Sequence, residues 1–298
     1  MRMNAPVKPL KGALGDALAS NNGPRATMTD AVYDCLTKRI DGYTGIVFPA
    51  QKRQLVESRL RKRLRALSLA DFETYIVYLD SPAGKHETGE LINVVTTNLT
   101  SFFRESHHFL DMVEVLKKDA ATDGHSRRIR IWSSACSTGE EPYSISIAAL
   151  QAGLVTSGHD LRILATDLDT EALLKARTGI YPAQRLKTCP EGYRQNYFNE
   201  MPDEKVRVKE KVQKLIEFNH LNLHKSWPVN GPFDVIFCRN VMIYFGEEAK
   251  KAIVERFVKL LRPGGTLYLG HSESLLGSHP QLDNLGRTIF RKKSRCLL

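Results

Sequence analysis

The stretch Ile129-Arg-Ile-Trp-Ser-Ser-Ala-Cys-Ser-Thr-Gly-Glu-Glu-Pro142 constrains the fold more than any other part of the chain. It starts as a short apolar strand, passes through small residues only, and reaches Pro142, which suits a first helical turn because its missing N–H has no partner there anyway. Ser144 to Leu150 continue with apolar helical spacing. Strand, tight small-residue loop and helix form the unit with which an open α/β sheet builds a nucleotide pocket at its strand ends. A phosphate-binding version offers bare N–H groups to an anion at the helix N-terminus. Here Glu140 and Glu141 stand at that spot. They suit the helix dipole but repel a pyrophosphate. A ligand with an adenosine-like body and a positive end fits better. S-adenosylmethionine, with an ammonium, a sulfonium and no phosphate, has that form. Acids in a first turn also occur in helices that bind nothing.

The 298 residues suffice for one large or two ordinary domains. A hydrophobic content of 42% with 26% charged residues is that of a soluble globular chain. The net charge of +10 points to an acidic partner, whether nucleic acid, membrane surface or protein. The five cysteines are scattered and form no CxxC pair, which predicts a reduced, cytoplasmic chain with neither disulfide frame nor metal site. Nothing in it is long and apolar enough to insert in a bilayer.

Residues 1–27 show no apolar period and are expected to form a disordered tail. Thr29 or Asp30 caps a helix to about Ile40, broken by Gly42 and Gly45. Pro49 opens a second helix to about Leu67, with the stripe Val56, Leu60, Leu64, Leu67. Arg59, Arg61, Lys62 and Arg65 lie roughly opposite. Like charges one turn apart oppose helix formation. That favours a binding face, with Arg59, Lys62 and Arg65 as its docking residues, over a merely solvated one. Ser68 and Asp71 resemble a capping box for a third helix through Leu79, and a fourth starts at Glu87. Residues 28–95 thus read as a small all-helical domain and 96–298 as an α/β domain. In the latter, a strand from Leu161 ends in Asp167-Leu-Asp169. An acid there holds ribose hydroxyls or caps the next helix; the reading gives the ligand to Asp167 and the cap to Asp169. Residues 178–211 interrupt the rhythm as an inserted subdomain with a short antiparallel ribbon. Further strands are expected at Ile216–Leu223, Phe233–Cys238 and Thr266–Gly270, with Thr288–Lys292 as an antiparallel edge. His107 and His108 are adjacent, so they cannot share a metal at helical spacing and read as structural or surface residues.

Five segments together resemble the bacterial chemotaxis receptor methyltransferases, the CheR family: Asn98-Leu-Thr-Ser-Phe-Phe-Arg-Glu105, Ser137-Thr-Gly-Glu-Glu-Pro-Tyr-Ser144, Ala165-Thr-Asp-Leu-Asp169, Cys238-Arg-Asn-Val-Met-Ile-Tyr-Phe245 and Gly270-His-Ser-Glu273. The resemblance runs from about Met28 to Arg291. It implies a Rossmann-like methyltransferase domain with an inserted β-subdomain behind an all-helical receptor-docking domain. It implies S-adenosylmethionine as cofactor and receptor glutamates as acceptors, giving methyl esters for sensory adaptation. The chain would be a monomer, brought to the membrane by the receptor's cytoplasmic domain. By matching position, Asn98, Thr100, Arg104, Glu141 and Asp167 would line the cofactor site with Asn222, Leu223, Arg239 and Asn240. Arg104 and Tyr244 would stand nearest the methyl group. In some members the β-subdomain also grips a C-terminal receptor peptide; here the link from Phe198 to Val206 is shorter than in the enteric form.

Two other readings stay open. A nucleic-acid methyltransferase suits the charge, but Arg239-Asn-Val-Met242 stands where amino-group methylases of that kind often carry an Asn/Asp-Pro-Pro-aromatic run. A catalytically silent scaffold of the same fold is opposed by the presence of Arg104, Asp167 and Asn240.

Overall fold

The computed structural model describes residues 27–123, 127–155, 158–273 and 279–294. The expected tail lies outside these, its last residue apart. Helix α1 (Asp30–Thr44) starts at Thr29, whose hydroxyl accepts from the Val32 N–H at 3.3 Å. It runs through Gly42 and stops only at Gly45, left-handed at φ 75°. A Cβ on Gly45 would stand 2.7 Å from the His224 ring. Glycine therefore both ends the helix and lets the chain pass close to the second domain. Helix α2 (Arg53–Leu67) buries Val56, Leu60 and Leu64 completely. Its end corrects the expected capping box. Ser68 is the left-handed residue that closes α2, and Asp71 alone caps α3 (Phe72–Asp80), accepting from the Thr74 N–H at 2.8 Å. Helix α4 (Glu87–Val95) opens with buried Glu87, held by Arg63 at 2.7 Å and the Tyr75 hydroxyl at 2.8 Å. A buried carboxylate needs such partners.

The α/β domain follows as α5 (His107–Asp123), β1 (Arg128–Ser133), α6 (Glu140–Gln151), β2 (Asp160–Asp167) and α7 (Thr170–Thr178). The insert comprises β3 (Ile180–Pro182), α8 (Tyr193–Tyr197), β4 (Phe198–Met201), β5 (Lys205–Val208) and α9 (Glu210–Gln213). The main sheet resumes with β6 (Ile216–His220), β7 (Phe233–Cys238), α10 (Glu247–Leu260), β8 (Leu261–Leu269), β9 (Leu282–Asn284) and β10 (Ile289–Lys292). Strand order is β6-β2-β1-β7-β8-β10-β9. The first five are parallel, and the last two pairings are antiparallel. β7 is buried along its whole length, as expected for a central strand covered on both faces. Two expectations need correction. β10 is not an edge strand, because β9 pairs outside it. The strand expected over Thr266–Gly270 begins earlier, at Leu261, so that β8 takes in Pro263-Gly-Gly265, in a ladder whose register shifts between Phe233 and Val235.

The insert is a three-stranded antiparallel sheet, order β3-β5-β4. It grips the segment between the domains. Phe102 packs edge-on against Tyr181 and Phe198, Thr188 donates to the Phe102 carbonyl at 2.7 Å, and Arg185 donates to the Thr100 carbonyl at 3.1 Å. Among the described residues no helix is long and apolar enough to cross a membrane.

Candidate active site

β1 has β2 and then β6 on one side and β7 on the other, so the chain switches direction between β1 and β7. A ligand crevice is expected outside the carboxyl ends of the strands at such a point. A cleft of about 550 Å³ lies there, within the usual range for small-molecule sites. Its floor is Ser134, Ala135 and Ser137 after β1, Asp167 at the end of β2, Leu221 to Leu223 after β6, and Arg239 and Asn240 after β7. Its front wall comes from the helical domain and linker, including Thr44, Ile46 to Pro49, Leu55, Arg59, and Asn98 to Ser101. All nine residues expected at the cofactor, and Tyr244, border this cleft.

At its centre is a buried ion cluster. The Arg239 side chain is 2% exposed and reaches Glu141 at 3.0 Å and Glu105 at 3.3 Å. It also donates to the Arg104 carbonyl. Its Nε is buried with no partner among the described residues. Burial raises the Glu141 carboxyl above the usual carboxylate range, against the opposing pull of Arg239 and the Ser133 hydroxyl, which donates at 2.7 Å. Burial also works to raise Glu105, but Arg239 and the His271 N–H outweigh it and hold that carboxyl low. Glu140 points away from the cluster, toward the Thr138 hydroxyl at 2.6 Å and Arg185 at 3.1 Å. The two first-turn acids therefore have different surroundings.

Asp167 accepts from the backbone N–H groups of Ser137 at 2.6 Å and Asp169 at 2.9 Å. Burial still pushes its carboxyl up to about 6. Asp169 caps α7, accepting from the Ala172 N–H at 2.9 Å, and also holds the linker through Thr96 at 2.6 Å and Asn98 at 2.7 Å. The Asn222 side chain donates to the Tyr43 carbonyl at 2.7 Å and so ties the two domains. Tyr244 leans on the core of the helical domain, and its carbonyl accepts from the Val47 N–H at 2.9 Å.

Arg104 lies between two residues with positive φ, Phe103 at 52° and Glu105 at 55°. Its guanidinium donates to the Leu99 carbonyl at 3.1 Å and stands 3.9 Å from Glu105. For a bulky side chain such a backbone is an outlier held only by its surroundings. Here the Phe103 N–H is fixed by the Ser144 hydroxyl at 2.9 Å.

Reading by sequence did not single out Glu273, although it ends one of the quoted motifs. Its buried carboxylate accepts from the N–H groups of Gly270 at 2.6 Å, Met242 at 2.6 Å and Asn240 at 2.8 Å. It thereby holds the turn that carries Asn240, left-handed at φ 58°, and Tyr244. Gly270 has to be glycine, because a Cβ there would meet Asn240 at 2.5 Å. The helical-domain wall of the cleft was also missed; its only signal was the Gly45 stop.

The basic face of α2 is less uniform than its sequence. Arg61 pairs with Glu57 at 2.6 Å, Arg63 with Glu87, and Arg53 with Asp30. Arg59 turns onto the linker, donating to the Thr96 carbonyl and the Thr97 hydroxyl at 2.9 Å each, and borders the cleft. Lys62 and Arg65 remain exposed on the surface. His108 is buried against Tyr268 and the Arg287 carbonyl, with burial lowering its pKa to about 4, so it is a neutral structural residue.

Two family descriptions match the chain: "CheR methyltransferase, all-alpha domain" over residues 32–96, and "CheR methyltransferase, SAM binding domain" over residues 98–290. Among similar proteins, the probable chemotaxis protein methyltransferase of Rhizobium etli is 42% identical over 85% of this chain and 96% of its own length. The chemotaxis protein methyltransferase of Salmonella typhimurium is 42% identical over 89% and 91%, and that of Escherichia coli 41% identical over 89% and 92%. The cleft suits S-adenosylmethionine: it offers carboxylates for hydroxyl and ammonium groups, and Arg239 Nε is a buried donor awaiting an acceptor. The chain belongs to the CheR methyltransferase family and is an S-adenosylmethionine-dependent methyltransferase.

Proposed function

We propose that the chain transfers the methyl group to glutamate side chains of chemoreceptor cytoplasmic domains, giving methyl esters that tune a sensory response. The observation that carries this reading is the cleft's chemistry. Arg104 and Tyr244 both border the cleft, and none of the described residues bordering it is a histidine. A glutamate carboxylate, with pKa about 4.3, is already the nucleophile at neutral pH and needs no base. The bound cofactor supplies an activated methyl on a sulfonium. Transfer of that methyl to a carboxylate oxygen would leave a neutral thioether and an ester, with no proton for the protein to move. The protein's part is alignment and exclusion of water. Arg104 presents a planar fork to the carboxylate. Asp167 takes the ribose hydroxyls, and the Glu141–Arg239–Glu105 cluster holds the amino-acid end of the cofactor. The relatives' names, chemotaxis protein methyltransferase, support the receptor as acceptor. Incubation with tritiated cofactor and a receptor cytoplasmic fragment is expected to yield label released as methanol by mild base, as an ester requires. Base-stable label, or label on duplex DNA, would replace this reading.

Asp167 makes the proposal pH-dependent. Its folded pKa of about 6 lies above the ordinary aspartate value, so at lower pH the empty site holds a neutral carboxyl. If the cofactor's hydroxyls bind the ionised form, binding lowers that pKa and expels a proton. Affinity should then fall on acidification below pH 6, by up to about tenfold per unit. Calorimetry in two buffers of different ionisation enthalpy should show proton release below pH 6 and none at pH 8. Asp167→Ala should abolish the release and weaken binding by about 1.5–3 kcal/mol. Unchanged affinity in the folded variant would remove Asp167 from the cofactor site.

A further inference from the structure

The net charge of +10 is not accounted for by α2, whose arginines are largely engaged within the chain. A denser group of cations lies at the other end of the main sheet. There a second cavity, of about 750 Å³, opens at the amino ends of β1, β2, β6 and β7. Arg127, Arg128, Arg130, Arg162, Lys214 and Arg262 line it, and Glu217 and Asp234 are the only acids among its described lining residues. β2 has eight residues, so the cavity and the cofactor cleft are about 23 Å apart along the same strand.

The cavity follows from the topology. Parallel strands are normally covered on both faces, with a helix in the crossover between neighbours. The crossover from β6 to β7 is residues 221–232, all among the described residues, and it contains no helix. β2 therefore buries Leu161 and Ile163 on one face and leaves Asp160 and Arg162 exposed on the other. Arg130 stands directly opposite Arg162 in register, and Arg128 lies two residues earlier on the same face. Like charges placed directly opposite on a sheet oppose its pairing. Nearby acids relieve this only in part. Asp234 is buried and taken by Arg127 and by Arg262, the latter at 2.7 Å. Asp160 lies 2.5 Å from Arg130 and 3.6 Å from Arg162, so one carboxylate serves two guanidiniums. Arg128 and Lys214 form no ion pair among the described residues.

We propose that this cavity is a second binding site, for a small ligand that joins a diphosphate to a flat apolar ring, the chemistry of a nucleoside diphosphate. Its volume is that of a small-molecule site. Guanidinium forks fit carboxylate and phosphate alike, and the number of cations decides between them. The backbones that carry Arg128, Arg130 and Arg162 are about 5–7 Å apart. A single carboxylate engages one such fork, whereas adjoining phosphates, with several charges close together, engage all of them. Leu164, Pro232 and Phe233 give the cavity an apolar side for the ring. Glu217 interrupts the positive lining at β6, so a long polyanion finds no continuous track. The site is independent of the acceptor reading, because it lies at the opposite end of the strands that carry the cofactor cleft.

The test is calorimetric titration of the full chain with ADP. The cofactor cleft is first filled with S-adenosylhomocysteine, so that the adenosine of the probe cannot enter there. ADP is expected to bind at one site per chain, more weakly as salt rises. Arg128 and Arg162 are both exposed, so their replacement leaves the core intact. Arg128→Gln/Arg162→Gln is expected to weaken ADP binding at least about tenfold and to leave cofactor affinity within about twofold. Lys85→Gln/Lys205→Gln removes the same charge from the exposed surface of the helical domain and the insert, and should change ADP affinity by less than about twofold. Equal weakening in the two variants would trace the effect to the overall charge of the chain and overturn the proposal. No binding of ADP at about 1 mM would also overturn it. Should vesicles of phosphatidylglycerol then bind through Arg128 and Arg162, the cavity would belong to a membrane-facing surface instead.

Discussion

Replacing Arg239 by alanine is expected to lower the stability of the folded chain by about 3–5 kcal/mol. The guanidinium is almost wholly buried between Glu141 at 3.0 Å and Glu105 at 3.3 Å and also holds the Arg104 carbonyl. It is one positive charge beside two carboxylates. Without it both carboxylates stay buried and uncompensated, and each must either pay for its charge or take up a proton. The sign with pH follows. In the variant the already raised Glu141 pKa rises further and that of Glu105 is no longer held low by Arg239, so the loss is greatest at neutral pH and shrinks as acid neutralises both groups. Arg239→Lys keeps the charge but loses the fork that spans three acceptors, and should fall between. Urea denaturation at pH 5 and pH 8 reads both effects. A loss below about 1 kcal/mol at pH 8 would mean that water already screens the cluster and that it is no more than a surface ion pair.

That cluster shows what the sequence could and could not convey. Glu141 was legible because a strand, a loop of small residues and a helix start leave few places for it. Asp167 was legible because parallel strands end at a common edge. Their partners were not, because Arg239 reaches Glu141 across 98 positions of sequence. The same blindness explains the overcharged look of α2: its arginines find acids and carbonyls on α1, α4 and the linker that no local pattern reveals. Periodicity identified β10 as a strand but not as an inner one, since its neighbour is fixed by pairing across the sheet. The left-handed turn at Phe103 to Glu105 had no signal either. Residues with positive φ are foreseen at glycine or asparagine, whereas Phe103 is held in it by the Ser144 hydroxyl on its N–H and by the packing of its ring against Phe109 and Tyr193.

That forced turn is the ground for expecting Arg104→Ala to cut turnover by about a hundredfold while cofactor affinity falls by less than about tenfold. Two residues with positive φ cost of order 1–3 kcal/mol each, and they bracket Arg104 alone. The fold bears that strain to aim one side chain, which is 37% exposed at the mouth rather than sunk in the floor. An arginine so placed meets what enters from outside more than what lies beneath. It is anchored by the Leu99 carbonyl at 3.1 Å, so its fork is set before the acceptor arrives. Arg104→Lys should rescue little, because a point charge on a flexible stem does not fix the plane of a carboxylate. Single-turnover rates at saturating cofactor, set beside calorimetric affinities, separate the two effects. Near-normal turnover with weakened cofactor binding would make Arg104 a cofactor ligand only. The pH profile adds a distinction. The nucleophile is ionised throughout the neutral range, so the rate at saturating cofactor should be level there in the wild type. It should be equally level, only lower, in Arg104→Ala. A lost general base would instead restore the rate as pH rises, and a lost positioning group cannot.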